Sequence, residues 1–101
     1  MSELDLDNLI RITKIITDTN STRTIDYHHV SAALKILNLD TSKYSISARD
    51  AWIAYYQTKV TNVYFNKAKG MLNKDDYRVK SDAAAYLSGI IMVHDDYIHK
   101  I

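Results

Sequence analysis

Cysteine and proline are absent from the chain, glycine occurs twice and phenylalanine once. Without cysteine there can be no disulfide and no thiolate ligand for a metal. Without proline, and almost without glycine, the chain lacks its sharpest structural punctuation, which predicts helices joined by short polar turns. No apolar run reaches the roughly eighteen residues that a membrane span requires, so none is expected. The opening Met1-Ser2-Glu3-Leu4-Asp5 has neither a basic n-region nor an apolar h-region, so a secretory signal is not expected either. An excess of one charge is also missing. Thirteen Lys and Arg stand against twelve Asp and Glu, a formal charge of +1, which does not mark a strongly basic nucleic-acid binder. Residues 1–46 sum to −1 and residues 47–101 to +2, so a polyanion surface would lie mainly in the second half.

What the chain does hold is helical periodicity and tyrosine. At 101 residues it is read as a single helical domain spanning 1–101, with helix–loop–helix units at 4–38 and 47–100. Leu6, Leu9, Ile12 and Ile16 line one face of a first helix over residues 4–19, with Asp5 and Asp7 at its start. Asn20-Ser21-Thr22 ends it through local side-chain hydrogen bonds. Asp26 caps a second helix to about Asn38, packed through Val30, Ala33, Leu34 and Leu37. Residues 39–46 are expected to be a polar connection. A long third helix is expected from Ser47 to Leu72, with Ser47 and Asp50 at capping-box spacing. Its stripe is Trp52, Tyr56, Val60, Val63, Lys67 and Met71. After Asn73-Lys74-Asp75-Asp76, Ser81 is expected to cap a fourth helix to the C-terminus. Eight tyrosines supply packing with hydroxyl edges, an interface, or both.

Two breaks share a chemistry: Ser21-Thr22-Arg23-Thr24-Ile25 and Tyr77-Arg78-Val79-Lys80-Ser81. Each sets an arginine beside a β-branched residue that favours extended backbone. Brought side by side, the two would make a small bridge with a basic surface.

These runs carry a family resemblance. Leu6-Asp7-Asn8-Leu9-Ile10-Arg11, then Arg23-Thr24-Ile25-Asp26 through Val30-Ser31-Ala32-Ala33-Leu34-Lys35, resembles the second helix, second loop and third helix of a histone fold, nearest the arginine-rich core histones. Phe65-Asn66-Lys67-Ala68-Lys69-Gly70-Met71-Leu72, Tyr77-Arg78-Val79 and Ala83-Ala84-Ala85-Tyr86-Leu87 resemble the first helix, first loop and opening of the long central helix of the core histones generally. The similar runs cover roughly three quarters of the chain, although no single motif among them is specific. The order departs from the family, because the chain begins inside one fold and ends inside another. The family also usually has two more residues between the tyrosine and arginine of its first loop, and it carries basic tails. The resemblance therefore implies an all-α fold of histone-like helix–loop–helix elements, rearranged or completed by dimerisation.

It further implies non-sequence-specific binding of double-stranded DNA through the phosphate backbone. Compaction or chromatin scaffolding would follow, in a nucleus, nucleoid or viral DNA–protein particle. Arg23 and Arg78 are the first phosphate candidates, widened by Lys59, Lys67, Lys69 and Lys80. Asp75, Asp76 and Asp82 limit that patch. The partners implied are a second copy or other histone-fold subunits. Trp52, Tyr56, His94, Asp95 and Tyr97 are the interface candidates, with His94–Asp95 resembling the family's contact between dimers.

No cofactor or metal is expected. His28 and His29 are adjacent, and His94 and His99 are poorly phased for a shared ligand. No nucleophile stands in a recognisable relation to a base, and no glycine-rich phosphate cradle exists, so enzymatic activity is not expected. The reading from another class is a helical protein–protein interaction or assembly module without nucleic-acid binding.

Overall fold

The computed structural model describes residues 4–99, with side chains described as far as Asp96. Tyr97, one of the interface candidates, therefore has a side chain outside the described set.

The first helix, α1, spans Leu6–Thr19. Asp5 caps it by accepting the Asn8 N–H at 3.1 Å, which satisfies one of the free amides of the first turn. Its inner face is Leu9, Ile10, Thr13 and Thr17. The two threonines are buried without loss because their hydroxyls donate to the carbonyls of Leu9 and Thr13, each at 2.8 Å. Ser21 then adopts a left-handed backbone at φ 60 and turns the chain into the two-residue strand β1, Thr24–Ile25.

Asp26 caps α2, Tyr27–Ile36, as its spacing predicted. Its carboxylate accepts the His28 N–H at 2.8 Å, and its own N–H donates to His29 Nδ1 at 3.1 Å. Histidine thus fills the capping-box position usually held by Glu or Gln.

Beyond α2 the structure departs from the expected long helix. Ser42 starts α3, Lys43–Thr58, by accepting the Tyr44 N–H at 3.2 Å, so part of the anticipated polar connection is helical. Ser47 is no cap; its hydroxyl donates to the Gly89 carbonyl at 2.8 Å. Helix α3 stops where Lys59 turns left-handed at φ 60, and α4 begins anew at Phe65–Leu72. Thr58, Val60, Thr61 and Val63 crowd this break with β-branched side chains, which weaken helix. Asn62 stabilises the turn by accepting the Tyr64 N–H at 2.8 Å and donating to Ser88 Oγ at 3.1 Å. The stripe expected from Trp52 to Met71 is therefore broken, and Val60 and Val63 are 64% and 89% exposed.

Left-handed Asp75 and Asp76 lead into β2, Arg78–Val79, and then α5, Ser81–His99. Ser81 is the first residue of this helix rather than a residue before it. Residues 83–91 of α5 are all buried, so the helix is a central spine, with α2, α3 and α4 packed around it. A helix covered on all sides shows little amphipathic period. The fold is thus predominantly helical, with five helices among the described residues and one short two-strand bridge.

The bridge joins the two arginine-bearing breaks within one chain. β1 and β2 run parallel, with Thr24 opposite Arg78 and Ile25 opposite Val79. The Arg78 N–H donates to the Arg23 carbonyl at 2.8 Å and the Lys80 N–H to that of Ile25 at 3.0 Å. Ile25 is fully buried beneath it.

Candidate interaction surfaces

Two surfaces carry chemistry beyond packing. The first surrounds the bridge. There the Arg23 guanidinium lies 3.9 Å from the centre of the Tyr77 ring and donates to Asp18 Oδ1 at 3.1 Å. It also donates to the Asp75 carbonyl. The Tyr77 hydroxyl donates to the other Asp18 oxygen at 2.8 Å. Lys14 adds an ion pair to Asp75 at 3.6 Å. Burial, reinforced by the hydrogen bond to Asp18, pushes the Tyr77 hydroxyl above its ordinary pKa.

The outcome is a latch between α1 and the loop before β2, with charges of both signs. A shallow pocket of about 390 Å³ beside it is lined by Asp7, Asp18 and Asp75 as well as by Arg11, Lys14 and Arg23. Arg23 thus spends its donors within the chain, although its side chain stays half exposed.

Arg78 differs. It is exposed and has no side-chain partner among the described residues, as is also true of Lys69, whereas the exposed Lys80 acts electrostatically on Asp82. Lys80 and Arg78 flank Val79 on the bridge, whereas Lys67 and Lys59 are engaged elsewhere. Lys67 pairs with Asp95 of α5 at 3.5 Å, and Lys59 lies over the rings of Tyr55 and Tyr56 at 5.0 and 5.9 Å. The six basic candidates do not form one partner-free cluster. Asp82, in the first turn of α5, adds a buried Oδ1 that has no hydrogen-bond donor. Burial raises its pKa, and nearby Asp26 pushes the same way, against the N–H groups of Ala83 and Tyr27 and the charge of Lys80.

The other surface is the outer side of α3. Tyr44, Ser45 and Ala48 point inward and are buried. Ile46, Ile53 and Tyr56 point outward at 55%, 37% and 68% exposure, and Val60 and Val63 in the segment after the helix are exposed as well. Beside this ridge lies a groove of about 360 Å³ between α3 and α5. Ala51, Ala54, Ala85 and Ser88 line it together with Val60 and Met92. The groove is lined largely by small side chains, with Asp50 also contributing.

Of the aromatic interface candidates, Tyr56 belongs to this surface. Trp52 is half-buried in a ring cluster, 4.6 Å from Tyr27 and 5.6 Å from Tyr56 between centroids. Its Nε1 is buried and has no acceptor. His94 Nδ1 stands 3.4 Å from Asp95, whose other oxygen pairs with Lys67 of α4 in the same chain. Ile46 and Ile53 were missed as surface residues. Their seven-residue spacing, opposite Tyr44, Ala48 and Tyr55, was the available signal once the helix start at Lys43 was known.

Among the described residues, no group of three His, Asp or Glu side chains is placed to hold a metal. No helix there is long and apolar enough to cross a membrane. Comparison with protein-family models, with curated proteins and with solved structures gave no match to this chain. The class defined by the fold and its surfaces is a predominantly helical protein, with five helices among the described residues, an internal parallel bridge, and a helix face that leaves Ile46, Ile53 and Tyr56 exposed.

Proposed function

We propose that the chain is a helical protein-interaction module whose contact element is the outer face of α3. One observation carries this reading: of the eight large apolar side chains exposed among the described residues, five, Ile46, Ile53, Tyr56, Val60 and Val63, fall on α3 and the segment directly after it. Scattered single apolar residues on a surface are ordinary, whereas a run along one element marks a site where another surface removes it from water. Tyr56 offers a large, stiff side chain of the sort that anchors interfaces. Cross-linking in an extract tests the reading, using Lys43 and Lys59 at the ends of α3 as reactive amines. Cross-links from these lysines to a second chain are expected in the wild type and should vanish in Ile53→Asp. Their persistence in that variant, or their absence from both, would overturn it.

A second reading places phosphate on the bridge, supported by the exposed side chains of Arg78 and Lys80, the first of them without a partner among the described residues. Under it the chain is histone-like, neutralising double-stranded DNA without base readout alongside other histone-fold subunits, in a nucleus, nucleoid or viral particle. Arg78, Lys80 and Lys69 would make the contacts, and Arg23 would hold the loop rather than the phosphate. Binding would weaken steeply with salt and fall in Arg78→Ala/Lys80→Ala, while Arg23→Ala would act mainly through stability. No retardation of duplex DNA at low salt would eliminate this reading and leave the first untouched.

A further inference from the structure

The face of α3 carries its own charge code. At about 3.6 residues per turn, Ile46 and Ile53 fall almost on one line, while Arg49 lies on one flank and Asp50 on the other. Both charged residues are exposed, and neither has a partner among the described residues. The flanks also differ in shape. Tyr56 projects on Arg49's side, and the groove lined by Ala54 and Val60 opens on Asp50's side. One helix thus presents a ridge, a projection with a positive charge, and a recess with a negative charge.

We propose that α3 pairs with α3 of a second copy, side by side and in parallel, about a two-fold axis along the helices. The proposal rests on the reading of α3 as the contact face. Symmetry selects the direction. In a parallel two-fold pair each flank meets the partner's opposite flank, as in the charge pairing of parallel coiled coils. Arg49 then meets the partner subunit's Asp50, and the exchange is made twice. Tyr56 enters the partner's groove, and Ile46 and Ile53 meet their own counterparts on the axis. An antiparallel pair would set like flanks together, opposing Arg49 to arginine and Asp50 to aspartate. The same surface that repels itself in one direction complements itself in the other.

Charge reversal with light scattering or sedimentation equilibrium over a wide concentration range tests the pairing. The wild type should shift from one chain to two as concentration rises. Arg49→Asp and Asp50→Arg should each weaken dimerisation about tenfold or more, because every reversal acts at two symmetric contacts. The double variant Arg49→Asp/Asp50→Arg should restore it to within about threefold, since both copies exchange signs together. Ile53→Cys should oxidise to a disulfide-linked dimer of identical sites. An antiparallel pair would instead join a cysteine at 46 to one at 53. Circular dichroism of each variant separates loss of pairing from loss of fold.

A wild type that stays monomeric throughout, single reversals without effect, or a double variant that fails to recover would overturn the pairing. A monomer whose Lys43 and Lys59 still cross-link to a different protein would refute self-pairing and leave α3 as a contact face. A monomer without such cross-links would refute both.

Discussion

The guanidinium of Arg23 stacks on the ring of Tyr77 at 3.9 Å, and both side chains converge on the carboxylate of Asp18. An arginine that looked like a free loop cation is thereby a tie between α1 and the loop before β2. Arg23→Ala should destabilise the fold by about 1–2 kcal/mol, the range for a partly exposed cation–π contact with charged hydrogen bonds. Tyr77→Phe keeps the stack and loses the hydroxyl, for about 1 kcal/mol. Because they share Asp18, the double variant should cost less than the two singles together in urea denaturation. Arg78→Ala is the control and should change stability little, because Arg78 has no such partners.

Helices α3 and α5 meet at Gly89. A Cβ there would lie 2.3 Å from the Ser47 carbonyl oxygen and 2.8 Å from the Ala48 Cα, both backbone atoms. Neither can rotate away, so Gly89→Ala should cost about 2 kcal/mol or more and loosen the Ser47–Gly89 hydrogen bond. Gly70 has nothing within 4 Å of its would-be Cβ, and Gly70→Ala should stabilise α4 by up to about 1 kcal/mol through helix propensity. Thermal melts of the two variants should shift in opposite directions.

Asp82 makes stability depend on pH in a direction unlike that of a salt-bridged carboxylate. Its pKa is raised in the fold, chiefly by burial, so the fold disfavours its ionised form. The associated stability is fully present below the ordinary carboxylate value and is lost as pH climbs through the raised one. Asp82→Asn removes that loss and retains an oxygen for the Tyr27 N–H. The variant's advantage over wild type should therefore grow from acid toward neutral pH and then level off. A stability difference that is flat with pH would contradict this placement of Asp82.

Residues of similar chemistry should separate by position. Ile53→Asp, on the open face of α3, should leave folding stability within about 0.5 kcal/mol. Leu87→Ala, fully buried at the centre of α5, should cost about 2–5 kcal/mol. Chemical denaturation of both distinguishes a contact face from a core face. An equal loss in the two would place Ile53 in the core.

Helix content, the Asp26 cap and the extended character of both arginine-bearing breaks were legible because each depends on residues a few positions apart. Thr24-Ile25 and Arg78-Val79 are short β-preferring runs, and the fold brings them side by side as a parallel pair. The break between α3 and α4 was less legible. Apolar residues at helical spacing run straight across it, and only the density of β-branched side chains from Thr58 to Val63 opposed that pattern. The extent of burial along α5 was hidden for the opposite reason, since a helix wrapped by neighbours on every side has no polar face to mark its orientation.

The sequence by itself determined the helical character, the Asp26 cap, and the residue types that could meet phosphate or a partner. Tertiary structure alone decided which of those residues remained available. Arg23 and Arg78 have the same side chain in similar loops, yet Asp18, Asp75 and Tyr77 converge on the first, while the second has no such set. Long-range contacts assign each group its partner, and a side chain's solvation and freedom follow from that partner rather than from its neighbours along the chain.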